Sequence, residues 1–241
     1  MSSALKPPRT GFRSETGNSR GRAHRDEDKA KVRRAFVEAG RHLMATDDDP
    51  SKVSLRRIAA LAGYSPGSIY QYFRDHQALL FAIREVDMNA ATDRFEEIAR
   101  RTRDPVERVR KLFLGTVEYW LEHLDQFDVL FSRQPNRPPL LNQEGVPFGE
   151  SPTVLRSLQV YYDAVEALFA ALPGPPMTVR VAADTLIAVT HGIVAFPRHT
   201  RTMRWSDIRA MAQAAVDGLL SGWFGQSPAT PPRSRRRQVS P

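Results

Sequence analysis

The chain has 241 residues, 41% of them hydrophobic, and a formal net charge of +8, which indicates one or two domains with an ample packed core. It contains no cysteine, which excludes disulfides, thiolate metal sites and cysteine nucleophiles and suits a reducing cytoplasm. The basic N-terminus lacks the apolar run of a signal peptide, and the longest apolar run, 181–196, is too short and too polar for a membrane span, so we expect a cytoplasmic protein with no membrane partner.

The positive charge is concentrated at the two ends of the sequence. Residues 1–25 contain six basic side chains and one acid, and residues 226–241 contain four arginines and no acid. Both segments are rich in Pro, Ser, Gly and Arg and have almost no apolar periodicity, which predicts a disordered basic arm over 1–25 and a disordered basic tail over 226–241. The sequence between them is nearly neutral.

A first helix is predicted over 26–45, where acidic residues face the positive helix N-terminus and apolar residues recur at helical spacing. Residues 54–73, SLRRIAALAGYSPGSIYQYF, then predict two short helices joined by a tight turn. Ser54 is placed to cap the first of these, Gly63 to end it, and Ser65 to cap the second. This pattern is typical of a helix-turn-helix, which inserts its second helix into a DNA groove.

The remaining sequence predicts helices only. A helix over 75–101 is about 40 Å long, enough to link two domains. A loop with five prolines over 134–152 is unusually long for a compact domain, which is often a sign of function or mobility. Other helices are predicted over 105–124, 126–133, 153–171, 177–196 and 206–224. We therefore expect an all-α fold of about nine helices.

The sequence resembles the TetR family of bacterial transcriptional regulators over roughly residues 28–85. The matching elements are the S-x-x-x-I-A start, the A-G-Y-S turn, P-G-S-I-Y, Y-x-Y-F and A-L-L at 78–80. The resemblance implies a three-helix DNA-binding domain over 26–84, joined by a long helix to an effector-binding and dimerisation domain over 85–225. The sequence departs from the family at His76, where Lys is usual, so either a phosphate contact is weakened or the basic tails compensate for it.

The chemistry of the side chains suggests how DNA would be bound. Arg56 suits the O6/N7 edge of guanine and Gln71 suits adenine, while Gly67 lets the backbone approach the duplex closely. Hydroxyl and imidazole groups would contact phosphates, which fixes register without reading sequence. The candidate DNA-binding residues are Ser54, Arg56, Arg57, Ser65, Gly67, Ser68, Tyr70, Gln71, Tyr72 and His76. A wider basic patch would comprise Lys52, Arg56, Arg57, Arg74 and Arg84.

The resemblance also implies a pocket for a small effector in the second domain. Its candidate lining is Phe113, Trp120, Phe127, Phe131, Tyr161, Tyr162 and His191, with Phe169 and His123 as further candidates. An ordinary core would use the same aromatic residues. Dimerisation is expected through the helices near 177–196 and 206–224, because Ala214, Gly218 and Gly222 form a ridge that lets another helix approach closely. Packing within one chain is the alternative.

No catalytic, cofactor or metal motif is present in the sequence. We therefore expect no enzyme but a repressor that binds a palindromic, double-stranded operator as a homodimer and is released by a small apolar or aromatic effector. The alternative is a nonspecific nucleic-acid-binding protein that acts through its basic tails.

Overall fold

The computed structural model describes residues 16–47, 53–131 and 139–225. In these ranges the chain is all-helical, as predicted, and the only pairing of extended backbone is an isolated bridge between Leu141 and Pro147. The eight α-helices are α1 (Thr16–Thr46), α2 (Leu55–Leu61), α3 (His76–Arg101), α4 (Pro105–Glu122), α5 (Leu124–Phe131), α6 (Pro152–Ala170), α7 (Val179–His199) and α8 (Ile208–Gly225). Two short 3-10 turns, Ser68–Gln71 and Phe148–Glu150, complete the structure.

Two predicted boundaries differ from the structure. Helix α1 begins at Thr16 rather than near 26, so it includes the last ten residues of the predicted basic arm. The remainder of the predicted arm, 1–15, and the predicted tail, 226–241, lie outside the described residues. The second helix of the helix-turn-helix is a 3-10 turn, which leaves eight α-helices in the described ranges instead of about nine.

The chain divides into two compact units, Met1–Leu79 and Leu80–Pro241, and α3 begins in the first and continues in the second. In the first unit α1 packs on α2, and α2 packs on the Ser68–Gln71 turn. The core of this unit is formed by Phe36, Val37, Ile58, Ala59, Ile69 and Phe73, which are almost completely buried. Burial of each large apolar side chain contributes about 1.5–3 kcal/mol, so this core holds a turn that is too short to be stable alone.

In the second unit α4 is the central helix and contacts α5, α6, α7 and α8. Asp104 caps it by accepting from the Glu107 amide, at 2.8 Å, and Pro105 occupies its first turn as predicted. Its buried face recurs at helical spacing and consists of Val109, Leu112, Phe113, Thr116, Val117 and Trp120.

The described part of the predicted long loop is ordered by a compact turn. The Phe148 amide donates to the Leu140 carbonyl at 2.8 Å. The side chain of Asn142 accepts from the amides of Glu144 and Val146 at 2.9 and 2.8 Å, and Gly145 adopts φ +82°. Buried Ser151 then caps α6.

Helix α7 is apolar on two faces. By length and composition it is the one helix of the described residues that would suffice to cross a membrane, although the apolar run 181–196 alone is too short. One face lies in the core of the second unit through Ala182, Ala183, Leu186, Thr190 and Val194. The other face exposes Val181 and Phe196.

Candidate DNA-binding surface and effector region

The turn after α2 requires a glycine. Gly63 adopts φ +79°, in the left-handed region that disfavours residues with a Cβ. The amides of Gly63 and Tyr64 donate to the carbonyls of Ala60 and Ala59, at 3.1 and 2.9 Å, and so satisfy the end of α2. At the start of this helix, the Ser54 hydroxyl accepts from the Arg57 amide at 3.3 Å. Both roles agree with the sequence prediction.

The segment predicted as the second helix differs from expectation. Its only helical part is the 3-10 turn Ser68–Gln71, preceded by Gly67 without a side-chain cap. Ser65 does act at this end, but through its carbonyl, which accepts from the amide and the hydroxyl of Ser68 at 3.0 and 2.6 Å. Pro66 and Gly67 stand directly before this turn, and α3 already begins at His76. The segment between them is long enough for a 3-10 turn but not for a longer α-helix.

Aromatic side chains of α1 and of the residues flanking the Ser68–Gln71 turn pack together and support this turn. The ring of Phe36 on α1 meets the edges of Tyr64 and Tyr72 at centroid distances of 5.1 and 5.5 Å. The guanidinium of Arg33 lies 5.1 Å from the centre of the buried Phe73 ring. Tyr72 is therefore half-buried, and its ring supports the turn while its side chain remains partly accessible.

Most of the candidate DNA-binding residues are accessible on the first unit. Tyr70 is 52% exposed, so it is not a core residue of this unit. Ser68, Tyr72 and His76 are half-buried. The exposed members are Ser54, Arg56, Arg57, Ser65, Gly67, Tyr70 and Gln71.

The arginines of the predicted basic patch have different environments. Arg57 forms an ion pair with Asp47, with an N–O distance of 2.7 Å, which offsets part of its charge. Arg74 pairs with Asp75 at 3.0 Å. Arg56 is exposed and has no hydrogen bond or ion pair with any described residue. It is therefore the arginine of α2 best placed to meet an external anion or base.

Arg84 was predicted to belong to the basic patch, but it lies in the second unit. Its guanidinium carbon is 5.8 Å from the centre of the Phe148 ring, and burial lowers its pKa. Lys52 lies outside the described residues.

At the start of α3 the Asp75 carboxylate accepts from the Ala78 amide at 2.8 Å, so Asp75 caps the helix that begins with His76.

In the second unit, four predicted effector residues from α4, α5 and α7 form one cluster of rings. We call Trp120, Phe127, Phe131 and His191 the ring cluster. Phe131 lies 4.9 Å from both Phe127 and His191, and 5.4 Å from Trp120, between ring centroids. Trp120 and Phe127 are buried, whereas Phe131 is 40% exposed at the edge.

Two further candidates form a buried pair beside the ring cluster. The rings of Phe113 and Tyr161 lie 5.0 Å apart. The Thr116 hydroxyl donates to the Leu112 carbonyl and therefore accepts from the Tyr161 hydroxyl at 2.9 Å. Burial raises the pKa of Tyr161, which keeps the hydroxyl protonated.

The remaining candidates lie elsewhere. The hydroxyl of Tyr162 donates to Asp184 at 2.9 Å near the surface, and its ring has no contact with the ring cluster. Phe169 packs on Trp223 at 5.6 Å, and His123 stacks on Tyr119 at 4.2 Å.

Comparison with known proteins identifies the DNA-binding part of the chain. Residues 36–83 match the family model described as bacterial regulatory proteins, tetR family. Over 107 residues the sequence is 30% identical to a helix-turn-helix-type transcriptional repressor of Mycobacterium tuberculosis. The aligned residues make up 44% of this chain and half the length of that relative. Residues 36–83 therefore belong to the TetR family of bacterial regulatory proteins.

Solved structures show that the TetR-like fold extends beyond the matched segment. A protein of unknown function from Rhodococcus sp. RHA1 superposes with a TM-score of 0.66 and 23% identity, covering 80% of this chain and 95% of that one. FadR from Bacillus subtilis, solved with stearoyl-CoA, has a TM-score of 0.58 and 16% identity over 78% and 97% of the two chains. The ketosteroid regulator KstR2 of Mycobacterium tuberculosis gives 0.51 and 18% over 79% and 93%.

Sequence reasoning missed Phe95, which connects the two groups of aromatic residues in the second unit. Its ring lies 6.2 Å from Trp120 and 5.8 Å from Tyr161. The signal was present, because Met88, Ala91 and Phe95 recur at helical spacing on α3 and are all buried. On the same helix Val86 is 37% exposed.

A polar groove in the second unit is a poor match for an apolar effector. It measures about 490 Å³ and its lining includes Arg100, Arg108 and Arg156. Arg156 on α6 is engaged by two carboxylates of α3, because it donates to Glu96 at 2.9 and 2.7 Å and to Asp93 at 2.6 Å. These pairs connect α6 to α3. In the described ranges no group of three or more His, Cys, Asp or Glu residues is arranged to hold a metal ion.

Proposed function

We propose that this TetR-family regulator is a repressor that binds a palindromic operator as a homodimer and is released by a small apolar or aromatic effector. The observation that carries the proposal is the surface of the first unit. There, Arg56 is exposed on α2, and Tyr70 and Gln71 are exposed on the Ser68–Gln71 turn. Ile69 of the same turn and Phe73 just after it are buried. A protein that reads a DNA groove needs exposed polar side chains held in position by a rigid apolar core, and these residues provide both.

Each exposed group has a separate role in this proposal. Arg56 donates to a guanine edge and Gln71 pairs with adenine, so these two residues read sequence. Tyr70, Ser54 and His76 contact phosphates and fix the register. The backbone at Gly67 approaches the duplex, and a Cβ built there would meet nothing within 4 Å of the protein itself.

The dimer is proposed to form through α7 and α8. On these helices Gly192, Gly218 and Gly222 are exposed, and a Cβ at each would meet no atom within 4 Å. Packing within the chain therefore does not require glycine at these positions, although each glycine lowers helix stability by about 1 kcal/mol relative to alanine. Close approach of a second copy would explain them, and the exposed Val181 and Phe196 would be covered by it.

Two-fold symmetry connects the dimer to the DNA. Two recognition turns related by a two-fold axis contact two half-sites that are themselves related by symmetry, so the operator is a palindrome. An effector bound in the helical domain proposed over 85–225 would favour a conformation with a different spacing of the two DNA-binding domains, proposed over 26–84. Its differential affinity for the two conformations sets how far operator binding falls.

The basic ends of the sequence supply charge without specificity. Residues 1–25 and 226–241 carry most of the net positive charge, while Arg57 and Arg74 of the first unit are paired with carboxylates. We therefore assign general attraction to DNA mainly to the two ends and recognition of sequence to the turn.

The assignment of roles is tested by measuring affinities for the selected operator and for all its single-base variants. Arg56→Ala or Gln71→Ala should lose about 1–3 kcal/mol on the operator and become indifferent to the base at one position in each half-site. Tyr70→Phe is the control, and it should weaken binding equally on every sequence. Equal losses on all sequences for all three variants would contradict base reading by Arg56 and Gln71.

A further inference from the structure

The ring cluster contains a buried hydrogen-bond donor without an acceptor. Trp120 is 1% exposed, and its indole N–H has no hydrogen-bond partner. Buried indole N–H groups usually find a partner, because leaving one unpaired is costly. Two other buried or half-buried groups of the same unit do have partners: Tyr161 donates to Thr116, and the indole of Trp205 donates to the Thr200 hydroxyl at 3.0 Å. Arg84 Nε is a further buried donor without a hydrogen-bond partner, but it lies beside Phe148 and outside the ring cluster. Within the ring cluster, the unpaired indole of Trp120 needs an explanation.

His191 supplies the opposite kind of group in the same cluster. Its Nδ1 lies 2.9 Å from the Ile187 carbonyl, which can only accept, so the proton is on Nδ1. In the neutral ring Nε2 is then an acceptor. Burial lowers the pKa of His191, which favours this neutral form. The ring centroids of Trp120 and His191 are 6.4 Å apart.

The edge of the ring cluster is apolar and partly open. Phe131 contacts Trp120, Phe127 and His191, and 40% of it is exposed, while His191 is half-buried. Phe131 and His191 belong to α5 and α7, and an ion pair between Arg198 on α7 and Asp128 on α5 joins these two helices. The charge of Arg198 is thus already paired with a carboxylate. The ring cluster thus offers aromatic faces, one donor and one acceptor.

We infer that the effector is a neutral, flat, largely apolar molecule that carries an acceptor for the Trp120 N–H and a donor for His191 Nε2. A keto or ester oxygen and a hydroxyl are the simplest such groups. A carboxylate is disfavoured, because it would be desolvated against aromatic rings and the lone pair of His191. The inference rests on the proposed function and specifies the ligand of its effector site.

Four naphthalenes of similar size test the inference by isothermal titration of the full chain in the absence of DNA. They are 2-ethylnaphthalene, 2-acetylnaphthalene, 6-acetyl-2-naphthol and 2-naphthoate. The ketone should bind about tenfold more tightly than the ethyl compound, since it satisfies the buried donor, and the hydroxyketone should bind more tightly still. The naphthoate should bind most weakly.

Two variants and a matched control assign the preferences to residues. Trp120→Phe should reduce the ratio between ketone and ethyl compound to about one, and His191→Phe should abolish the gain from the hydroxyl. Trp223→Phe removes another buried indole, which packs on Phe169 outside the ring cluster, and should leave both ratios unchanged. Circular dichroism verifies that each variant is folded, and His191→Phe provides the test if Trp120→Phe is not.

The inference is overturned if none of the four compounds binds, if the naphthoate binds best, or if both ratios persist in the Trp120 and His191 variants. Operator release is measured separately with the same compounds. Binding of the hydroxyketone without release from DNA would support the ligand class and contradict the effector role. Release by the naphthoate alone would contradict the ligand class and support a ligand-responsive regulator.

Discussion

Two glycines of the DNA-binding unit, only four positions apart, should respond in opposite ways to the same substitution. Gly63 has φ +79°, whereas Gly67 has φ −77° and ψ −25°, a conformation that any residue adopts. A Cβ at either position meets no atom within 4 Å. Crowding is therefore absent at both, and the backbone conformation alone decides the effect on stability.

The magnitudes follow from this difference. Left-handed backbone costs a residue with a Cβ about 1–2 kcal/mol, partly offset because alanine restricts the unfolded chain, so Gly63→Ala should destabilise the unit by about 1 kcal/mol. Gly67→Ala should stabilise it by about 0.4–1 kcal/mol for the second reason alone. The first unit of the two variants should melt at temperatures on opposite sides of that of the first unit in the wild type. A change of 1 kcal/mol corresponds to about 4–8 °C for a unit of this size.

The assay separates the two units without dividing the chain. All three tryptophans, Trp120, Trp205 and Trp223, lie in the second unit, so their fluorescence does not report directly on the first. Hydrogen exchange of peptides covering residues 54–73 reports on the turn. Exchange should accelerate in Gly63→Ala and slow in Gly67→Ala, while the tryptophan signal melts at one temperature in all three proteins. Equal shifts of the same sign for both variants would refute the assignment of the turn.

Further predictions concern DNA, assembly, pH and charge. Despite its greater stability, Gly67→Ala should bind the operator at least about tenfold more weakly, because its methyl group faces the duplex; unchanged affinity in a gel-shift titration would contradict the close approach. Gly218→Leu should stabilise the folded monomer yet halve the mass found by sedimentation, whereas the control Gly174→Leu, outside α7 and α8, should remain dimeric; a dimeric Gly218→Leu would place the interface elsewhere. Because burial lowers the pKa of His191 from 6.5, the unfolded chain binds a proton below that pH that the folded chain does not, so stability falls on acidification and His191→Phe should gain Tm relative to wild type between pH 7.5 and 5.5; a constant difference would exclude this contribution. Deleting residues 1–15, with three basic side chains, should reduce the salt slope of DNA binding by about three for each bound copy of the chain; an identical slope would show that these charges are not used.

Local chemistry made part of the fold predictable. Ser54 acts through a hydrogen bond of its own side chain, and Gly63 through a positive φ that the absence of a Cβ permits; both were assigned correctly. The 3-10 turn at Ser68–Gln71 was not predicted, because helical spacing of apolar residues does not distinguish two turns of α-helix from one tight turn held by tertiary packing. The start of α1 at Thr16 was missed since composition alone suggested disorder.

The candidate site shows a similar division. The family resemblance led us to expect Trp120, Phe127 and Phe131 in one pocket, and in the structure their rings do lie together. It was not enough to predict that Arg57 pairs with Asp47 or that Arg84 lies over Phe148, because those contacts depend on how separate elements pack. The lack of an acceptor for the Trp120 indole is likewise invisible in a sequence.

The most direct test of the central claim is a footprint of the full chain on genomic fragments selected for binding, with the protein-to-DNA ratio of the complex measured on the same fragments. A symmetric regulator with two recognition turns should protect one discrete palindromic site, with two copies of the chain bound, and Arg56→Ala should abolish that protection at a salt concentration where nonspecific binding persists. Uniform protection along every fragment, equally sensitive to salt in both proteins, would contradict sequence-specific regulation and leave only nonspecific binding through the basic ends.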